Sequence, residues 1–170
     1  MSETYTLYKL IVLYMLDKVD FPLTTSQISE IYSGKRIHNL FKLQETLAEM
    51  EHSGLLRVET THNRTLYHLT DNGLDTIQYF KNKISPAIQR DIDEFLKEKK
   101  YDLKEEVSVK SDYYLNTNHE YEVCCQIVEN GFSLIDLKLT VPTESEAEAI
   151  AGNWASQSQD IYTLLLTKLL

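Results

Sequence analysis

The sequence predicts an α+β fold, in which a mainly helical N-terminal half is followed by a three-stranded antiparallel meander flanked by helices. Apolar residues recur at helical spacing in residues 5–19 and 36–53, but they alternate at every second position in residues 105–141. Glycine and proline residues separate these segments. A chain of 170 residues suits one domain or two small ones, and the change of period predicts domains at residues 1–82 and 83–170.

Three helices are expected before the first β-structure. The first covers residues 5–19. The second opens with a capping box, in which the side chains of Thr24 and Gln27 each accept a hydrogen bond from the backbone N–H of the other residue. The third covers residues 36–53 and is expected to end where Gly54 can adopt a left-handed conformation. Its apolar face consists of Leu40, Leu43, Leu47 and Met50.

Residues 53–77 predict a β-hairpin followed by a helix. Two short β-rich runs flank a polar tip at residues 62–64. Thr70 then caps a fourth helix. A fifth helix starts at Pro86, because proline suits the first helical turn, and it is expected to fray into the charged run at residues 97–106.

The second half predicts three consecutive antiparallel strands and a long terminal helix. Asn130 and Gly131 favour a two-residue turn between the second and third strands, because both turn positions need a positive φ. Pro142 closes the meander, and Thr143 with Glu146 forms a second capping box that begins the last helix.

The order of three helices and a hairpin describes a winged helix-turn-helix. In that motif the third helix lies in the DNA major groove, and the hairpin, or wing, contacts a neighbouring phosphate strand. A wing must be solvated and must offer hydrogen-bond donors at its tip, as residues 62–64 do. The sequence therefore predicts a DNA-binding transcriptional regulator with an N-terminal winged helix-turn-helix.

Two motifs resemble those of winged-helix bacterial transcriptional repressors. The third helix ends in Leu43-x3-Leu47-x2-Met50-x3-Gly54-Leu55-Leu56, and the wing ends in Tyr67-x-Leu69-Thr70-x2-Gly73. A wider pattern is similar to an uncharacterised bacterial domain-of-unknown-function family with a winged-helix N-terminal half. That pattern comprises Phe41-x-Leu43-Gln44-x2-Leu47, Leu69-Thr70-x2-Gly73, Asn153-Trp154 and Ile161-Tyr162. The resemblance covers nearly the whole chain; it implies the fold and suggests transcriptional control, but it brings no ligand or catalytic residue.

The expected partner is double-stranded DNA. Asn39 and Gln44 could read adenine edges, while the cations hold phosphates. Glu45 departs from this pattern, because its carboxylate must face a cytosine amino group or repel phosphate. Two alternatives stay open: a helix face that is only solvated, and a protein-interaction adaptor that uses the winged helix without DNA. The candidate DNA contacts are Lys35, Arg36, His38, Asn39, Lys42, Gln44 and Thr46 on or near the third helix, and Arg57, His62, Asn63 and Arg64 on the hairpin.

The last helix predicts a homodimer. It is apolar around most of its circumference, and one sheet face cannot cover all of it. A dimer would also match the two-fold symmetry of operator sites. The alternative is a monomer in which the first and fifth helices cover the excess. The expected interface residues are Trp154, Ile161, Tyr162, Leu165, Leu166 and Leu169.

The net charge of −9 lies mostly in the second half. Residues 1–82 hold 8 Lys/Arg against 10 Asp/Glu, whereas residues 83–170 hold 9 against 16. Within residues 34–44 three cations occur without an acid, so a local basic patch can still contact phosphate. No apolar run reaches the ~18 residues of a membrane span and no signal peptide is evident, which predicts a cytoplasmic protein with no membrane partner.

The sequence carries no motif for catalysis, metal binding or a cofactor, so an enzyme is not expected. Cys124 and Cys125 are neighbours on a predicted strand and point to opposite faces, which excludes a disulfide framework. Tyr113, Tyr114 and Tyr121 could line a small-molecule effector pocket, but tyrosines are also common strand residues with solvated hydroxyls.

Overall fold

The computed structural model describes residues 3–33 and 40–170, and these residues form two units. Unit 1 comprises residues 1–60 and 64–104, and unit 2 comprises residues 61–63 and 105–170. The mixed α+β class predicted from the sequence is confirmed. Each unit has its own apolar core and its own three-stranded antiparallel sheet.

Unit 1 contains the predicted succession of helices and a hairpin. Its elements are α1 (Glu3–Asp17), β1 (Leu23–Thr24), α2 (Thr25–Ser33), α3 (Leu40–His52), β2 (Leu56–Thr60), β3 (Thr65–Leu69), α4 (Asp71–Phe80), a 3₁₀ turn (Lys81–Lys83) and α5 (Pro86–Ser108), whose last residues pass into unit 2. The two-residue strand β1 was not predicted, because so short a segment has no periodicity. It pairs with β3, so the strand order is β1-β3-β2.

The predicted helix ends of unit 1 are confirmed by their hydrogen bonds. Thr24 and Gln27 form the reciprocal capping box at the start of α2, with N···O distances of 3.0 and 3.1 Å. Gly54 has φ +75° after α3, the left-handed conformation that a residue with a Cβ adopts only with strain. The hydroxyl of Thr70 accepts a bond from the N–H of Gly73 at the start of α4.

The core of unit 1 surrounds α1, and it extends further along the chain than the sequence predicted. Seven consecutive residues of α1, 10–16, are buried. Ile92, Leu96 and Leu103 of α5 belong to the same core. The charged segment after residue 96 therefore stays helical, because one side of it is anchored, and the units divide at Lys104 rather than at residues 82–83.

Unit 2 is a sheet with one long helix on one face. It contains β4 (Val109–Leu115), β5 (Tyr121–Glu129), β6 (Phe132–Val141) and α6 (Glu144–Leu169), and the strand order is β4-β5-β6. Asn130 and Gly131 both have positive φ, at 52° and 82°, as the predicted tight turn requires. The capping box of Thr143 and Glu146 at the start of α6 is confirmed.

α6 packs mainly on β4 and β5. The indole N–H of Trp154 donates a 3.0 Å hydrogen bond to the carbonyl oxygen of Gln126 in β5, and the hydroxyl of Ser111 in β4 donates to the carbonyl oxygen of Ala151 at 2.8 Å. Each of these bonds joins the helix to one of the two strands, so the core of unit 2 lies between α6, β4 and β5.

Candidate nucleic-acid interface

The described part of α3 divides into a buried face and an exposed face. Leu43, Leu47 and Met50 are buried in the core of unit 1, as their spacing predicted. The opposite side carries an exposed row. That row consists of Phe41, Lys42, Gln44, Glu45 and Ala48. The side chains able to form specific contacts therefore lie in the N-terminal half of the described helix, the end that reads base edges in helix-turn-helix proteins.

α3 is held against α1 by a polar contact at the edge of the core. The ammonium of Lys9 lies 2.9 Å from a carboxylate oxygen of Glu49. A hydrogen bond with the hydroxyl of Tyr5 and the bond with Lys9 together lower the pKa of the Glu49 carboxyl. The Glu49 carboxylate thus stays ionised and is bonded to Lys9 and Tyr5 within unit 1. Its charge is partly neutralised where α3 faces α1.

Lys42 and Glu45 form an ion pair on the exposed row. Their charged groups are 3.6 Å apart at positions i and i+3, and about half of each side chain is exposed. Glu45 would therefore oppose DNA binding in two ways. Its carboxylate would repel a phosphate, and it also competes for the ammonium of Lys42, which would contact that phosphate.

Thr46 does not belong with the predicted DNA contacts. Its side chain is fully buried, and its hydroxyl donates a 2.7 Å hydrogen bond to the carbonyl oxygen of Lys42, one turn earlier in α3. Thr46 therefore lies on the inner face of α3, where it is not available to a nucleic acid.

The hairpin predicted after α3 is present in the structure. Leu56 pairs with Leu69 and Thr60 with Thr65. Arg57 is exposed, whereas His68 opposite it contacts a carboxylate oxygen of Glu59 at 2.8 Å. Arg64 is half-buried and directly precedes β3. Arg57 is therefore the predicted cation most open to solvent along the two strands.

The hairpin tip, residues 61–63, belongs to unit 2. The ring of His62 stacks on the ring of Tyr113, with centroids 4.0 Å apart, and its Nδ1 contacts the carboxylate of Asp112. Burial opposes ionisation of Asp112, but hydrogen bonds from the His62 side chain and from two backbone N–H groups lower its pKa. His62 is thus engaged with its own chain, and we remove it from the DNA contacts; Asn63 beside it is exposed.

The sequence did not predict the contact of His62 with Asp112 and Tyr113, because Asp112 lies 50 residues further along the chain. A pattern among neighbouring residues cannot predict such a contact. Four of the predicted contacts, Lys35, Arg36, His38 and Asn39, lie outside the described residues.

The predicted dimer residues of α6 differ in exposure. Trp154 is buried in the core of unit 2 and bonded to β5, so we remove it from the predicted interface. Ile161, Tyr162 and Leu165 are half-buried. Leu166 and Leu169 are exposed. Within α6, the exposed apolar surface that a partner could cover is therefore confined to the last turns.

Two simple patterns, a metal-ligand cluster and a membrane-spanning helix, are absent from the described residues. Within residues 3–33 and 40–170, no group of three or more His, Cys, Asp or Glu side chains is placed to hold a metal ion. In that same part of the chain, none of the helices has the length and hydrophobicity needed to cross a bilayer.

These features define a two-unit α+β protein that presents a polar helix row and a hairpin on one unit and an apolar helix end on the other. The chain belongs to a family described as a domain of unknown function, DUF4364, which matches residues 8–169. Neither the curated proteins nor the solved structures contain a match to the chain. Membership of this family confirms the resemblance to an uncharacterised family.

Proposed function

We propose that this protein is a DNA-binding transcriptional regulator that acts as a homodimer, with its N-terminal half working as a winged helix-turn-helix. In this proposal α3 enters the major groove, and the β2–β3 hairpin contacts the phosphate backbone. The single observation that carries it is the outward row of α3, which offers an ammonium and an amide beside a hairpin that exposes a guanidinium.

Each exposed group of this surface has a distinct role in the proposal. Gln44 presents the amide that pairs with the N6 and N7 atoms of adenine. Lys42 and Arg57 contact phosphates, which supply affinity but no sequence information. Asn63 and Arg64 add donors near the end of the hairpin. Lys35, Arg36, His38 and Asn39, at the predicted start of the helix, complete the predicted surface.

The ion pair of Lys42 and Glu45 provides a test in which removing a charge should strengthen DNA binding rather than weaken it. Glu45→Gln removes the negative charge 3.6 Å from the ammonium of Lys42. If the row faces DNA, this change should tighten binding, because it removes a repulsion with phosphate and releases Lys42 to contact it. Glu51→Gln is the matched control, since Glu51 is an exposed carboxylate at the C-terminal end of the same helix.

The experiment has two stages. Sheared genomic DNA is captured on the purified full-length protein, the enriched fragments are sequenced, and the affinity for the best fragment is then measured by fluorescence anisotropy. We expect Gln44→Ala to reduce discrimination at one base position by about 1–3 kcal/mol. Glu45→Gln should increase affinity, and Glu51→Gln should change it little. Absence of duplex binding at low salt would contradict the proposal.

An exposed aromatic side chain favours a second function, that of a protein-interaction adaptor. Phe41 is 73% exposed on the outward row of α3, and aromatic residues are enriched at protein interfaces. If this second function is correct, Phe41→Ala should abolish partner binding, while Lys42→Ala and Arg57→Ala should have little effect.

A further inference from the structure

One strand of the unit 2 sheet has an apolar face that its own unit covers only in part. Val123 and Cys125 of β5 are buried beneath α6. Their partners across the ladder, Leu139 and Leu137 of β6, occupy the same face of the sheet, because directly paired residues share a face. Yet Leu139 is 45% exposed, and β6, which the structure describes in full, has no buried residue.

The width of a helix explains why this strand is covered only in part. Strands are spaced about 4.8 Å apart and a helix with its side chains is about 10 Å wide, so one helix covers about two strands. α6 lies mainly on β4 and β5 and contacts β6 less. The outer part of the third strand therefore leaves room for one further helix beside α6. On that strip Leu139 is exposed, while Ile135, Leu137 and Val141 are half-buried against the unit 2 core.

The C-terminal end of α6, in the same unit, also has exposed apolar side chains. The core-facing positions of α6 are buried as far as Ser158, but the last turns become progressively exposed, and Leu169 is 78% exposed. α6 has 26 residues, which corresponds to about 39 Å at 1.5 Å per residue. Such a helix is longer than β4 or β5, which have 7 and 9 residues and are about 24 and 31 Å long. The large exposed residues at this end are Leu164, Leu166, Leu169 and Leu170.

We propose that in the homodimer the last turns of α6 from a second copy lie on the apolar strip of β6, beside the resident α6, and that each copy receives the helix end of the other. This inference rests on the dimer in the proposed function but not on DNA binding. The partner is a second copy because each chain carries one exposed apolar helix end and one partly covered apolar strand, so a two-fold, self-complementary contact covers both.

The area of the strip favours a reciprocal contact over a single one. Seven residues of β6 at about 3.4 Å each, under a helix about 10 Å wide, give a footprint of roughly 240 Å². One such contact falls well short of the roughly 800 Å² that a stable interface buries on each partner. In the reciprocal arrangement each copy contributes both a strand and a helix end, which doubles the projected footprint on each copy to roughly 480 Å² and brings it closer to that area.

The test uses two substitutions on exposed side chains and a neighbouring control for each. Leu139→Lys places a charge on the β6 strip, and Thr140→Lys places the same charge on the opposite face of that strand. Leu166→Asp alters the helix end, and Thr167→Asp alters the adjacent exposed position. Sedimentation equilibrium of the full chain should show a wild-type dimer. Leu139→Lys and Leu166→Asp should each weaken it by about 100-fold or more, because each buries an unpaired charge, whereas both controls should stay within about threefold.

Mixing the two weakened variants gives the decisive result. A mixed dimer of the Leu139→Lys and Leu166→Asp chains has one unaltered helix–strand contact and one contact in which lysine faces aspartate. The mixture should therefore regain dimers that neither variant forms alone. Because misfolded chains would not restore each other, this result also shows that both variants are folded.

Three outcomes would overturn the inference: a monomeric wild-type chain, controls that dissociate as much as the test variants, or a mixture that stays monomeric. The last would mean that the helix end contacts something other than β6. A positive mixing result without any duplex binding would leave this inference standing and sink the DNA-binding proposal. Duplex binding by a monomeric wild-type chain would do the reverse.

Discussion

α1 and α6 are both rich in apolar residues, but only α1 is covered by its own unit. In α1, residues 10–16 are all buried, because α3, α4 and the unit 1 sheet surround the helix. In α6, the buried residues end at Ser158 and the leucines of the last turns are exposed. An apolar helix in a sequence therefore indicates that other residues pack against it. The arrangement of the neighbouring helices and strands decides whether those residues belong to the same chain.

The largest expected effect compares one change, leucine to alanine, in the two units. Leu13 in α1 is fully buried, so Leu13→Ala should lower the free energy of unfolding by about 2–5 kcal/mol. Leu139 in β6 is partly exposed, and Leu139→Ala should cost less than about 1 kcal/mol at a protein concentration too low for a dimer to form. Urea unfolding at low protein concentration measures both. Equal losses of unfolding free energy for the two variants would contradict the conclusion that Leu13 is fully covered by its own unit and Leu139 is not.

The next effect compares one glycine from each unit. A Cβ on Gly73 in α4 would lie 2.3 Å from the carbonyl oxygen of Leu55 and 2.8 Å from the side chain of Leu69. Gly73→Ala should therefore destabilise the protein by about 2–3 kcal/mol, although alanine is the better helix former.

Gly152 in α6 is the matched control for this prediction. Among the described residues, no atom beyond its own helix neighbours lies within 4 Å of a Cβ placed there. Gly152→Ala should raise the free energy of unfolding by about 0.5–1 kcal/mol, because it removes conformational freedom from the unfolded chain. Thermal unfolding should shift in opposite directions for the two variants. A shift of both in the same direction would mean that the close approach at Gly73 is wrong.

These two glycines also show how far the sequence could lead. Gly73 was recognised as part of a wing-end motif, but its physical role depends on Leu55, 18 positions earlier, which no local pattern reveals. By contrast, Gly54, the Thr24–Gln27 and Thr143–Glu146 capping boxes and the Asn130-Gly131 turn were predicted in place, because each depends only on near neighbours in the chain.

The candidate site divides in the same way. The exposure of Lys42 and Gln44 followed from the periodicity of α3, since the opposite side carries the leucines. The burial of Thr46 and the engagement of His62 did not follow, because the first depends on the width of the buried face and the second on a strand 50 residues away. Periodicity defines which side of an element faces outward, but it does not define what packs at the margin of that side.

The smallest expected effect concerns the partly exposed contact of His62 with Asp112. The pKa of Asp112 is lowered in the folded protein, so its contribution to stability is complete above the ordinary aspartate pKa and is lost as the pH falls through the lowered value. Because both side chains are more than a third exposed, Asp112→Asn should cost less than about 1 kcal/mol.

Urea unfolding between pH 3 and pH 7 tests this contribution. The difference between wild type and Asp112→Asn should be constant above about pH 5 and should shrink below about pH 4. Asp102→Asn, at an exposed position of α5, should produce no such change. A difference that grows as the pH falls would contradict a lowered pKa for Asp112 in the folded protein.

The most direct test of the account is the salt dependence of duplex binding, because it asks whether the outward surface of unit 1 contacts phosphates. The logarithm of the affinity for the selected fragment should fall steeply and linearly with the logarithm of salt concentration. Lys42→Ala and Arg57→Ala should each reduce the steepness of that slope by about 0.9, whereas Lys168→Ala, on an exposed side chain of unit 2, should leave it unchanged. Binding that is absent at low salt, or a slope that Lys42→Ala and Arg57→Ala leave unaltered, would contradict the assignment of this surface to DNA.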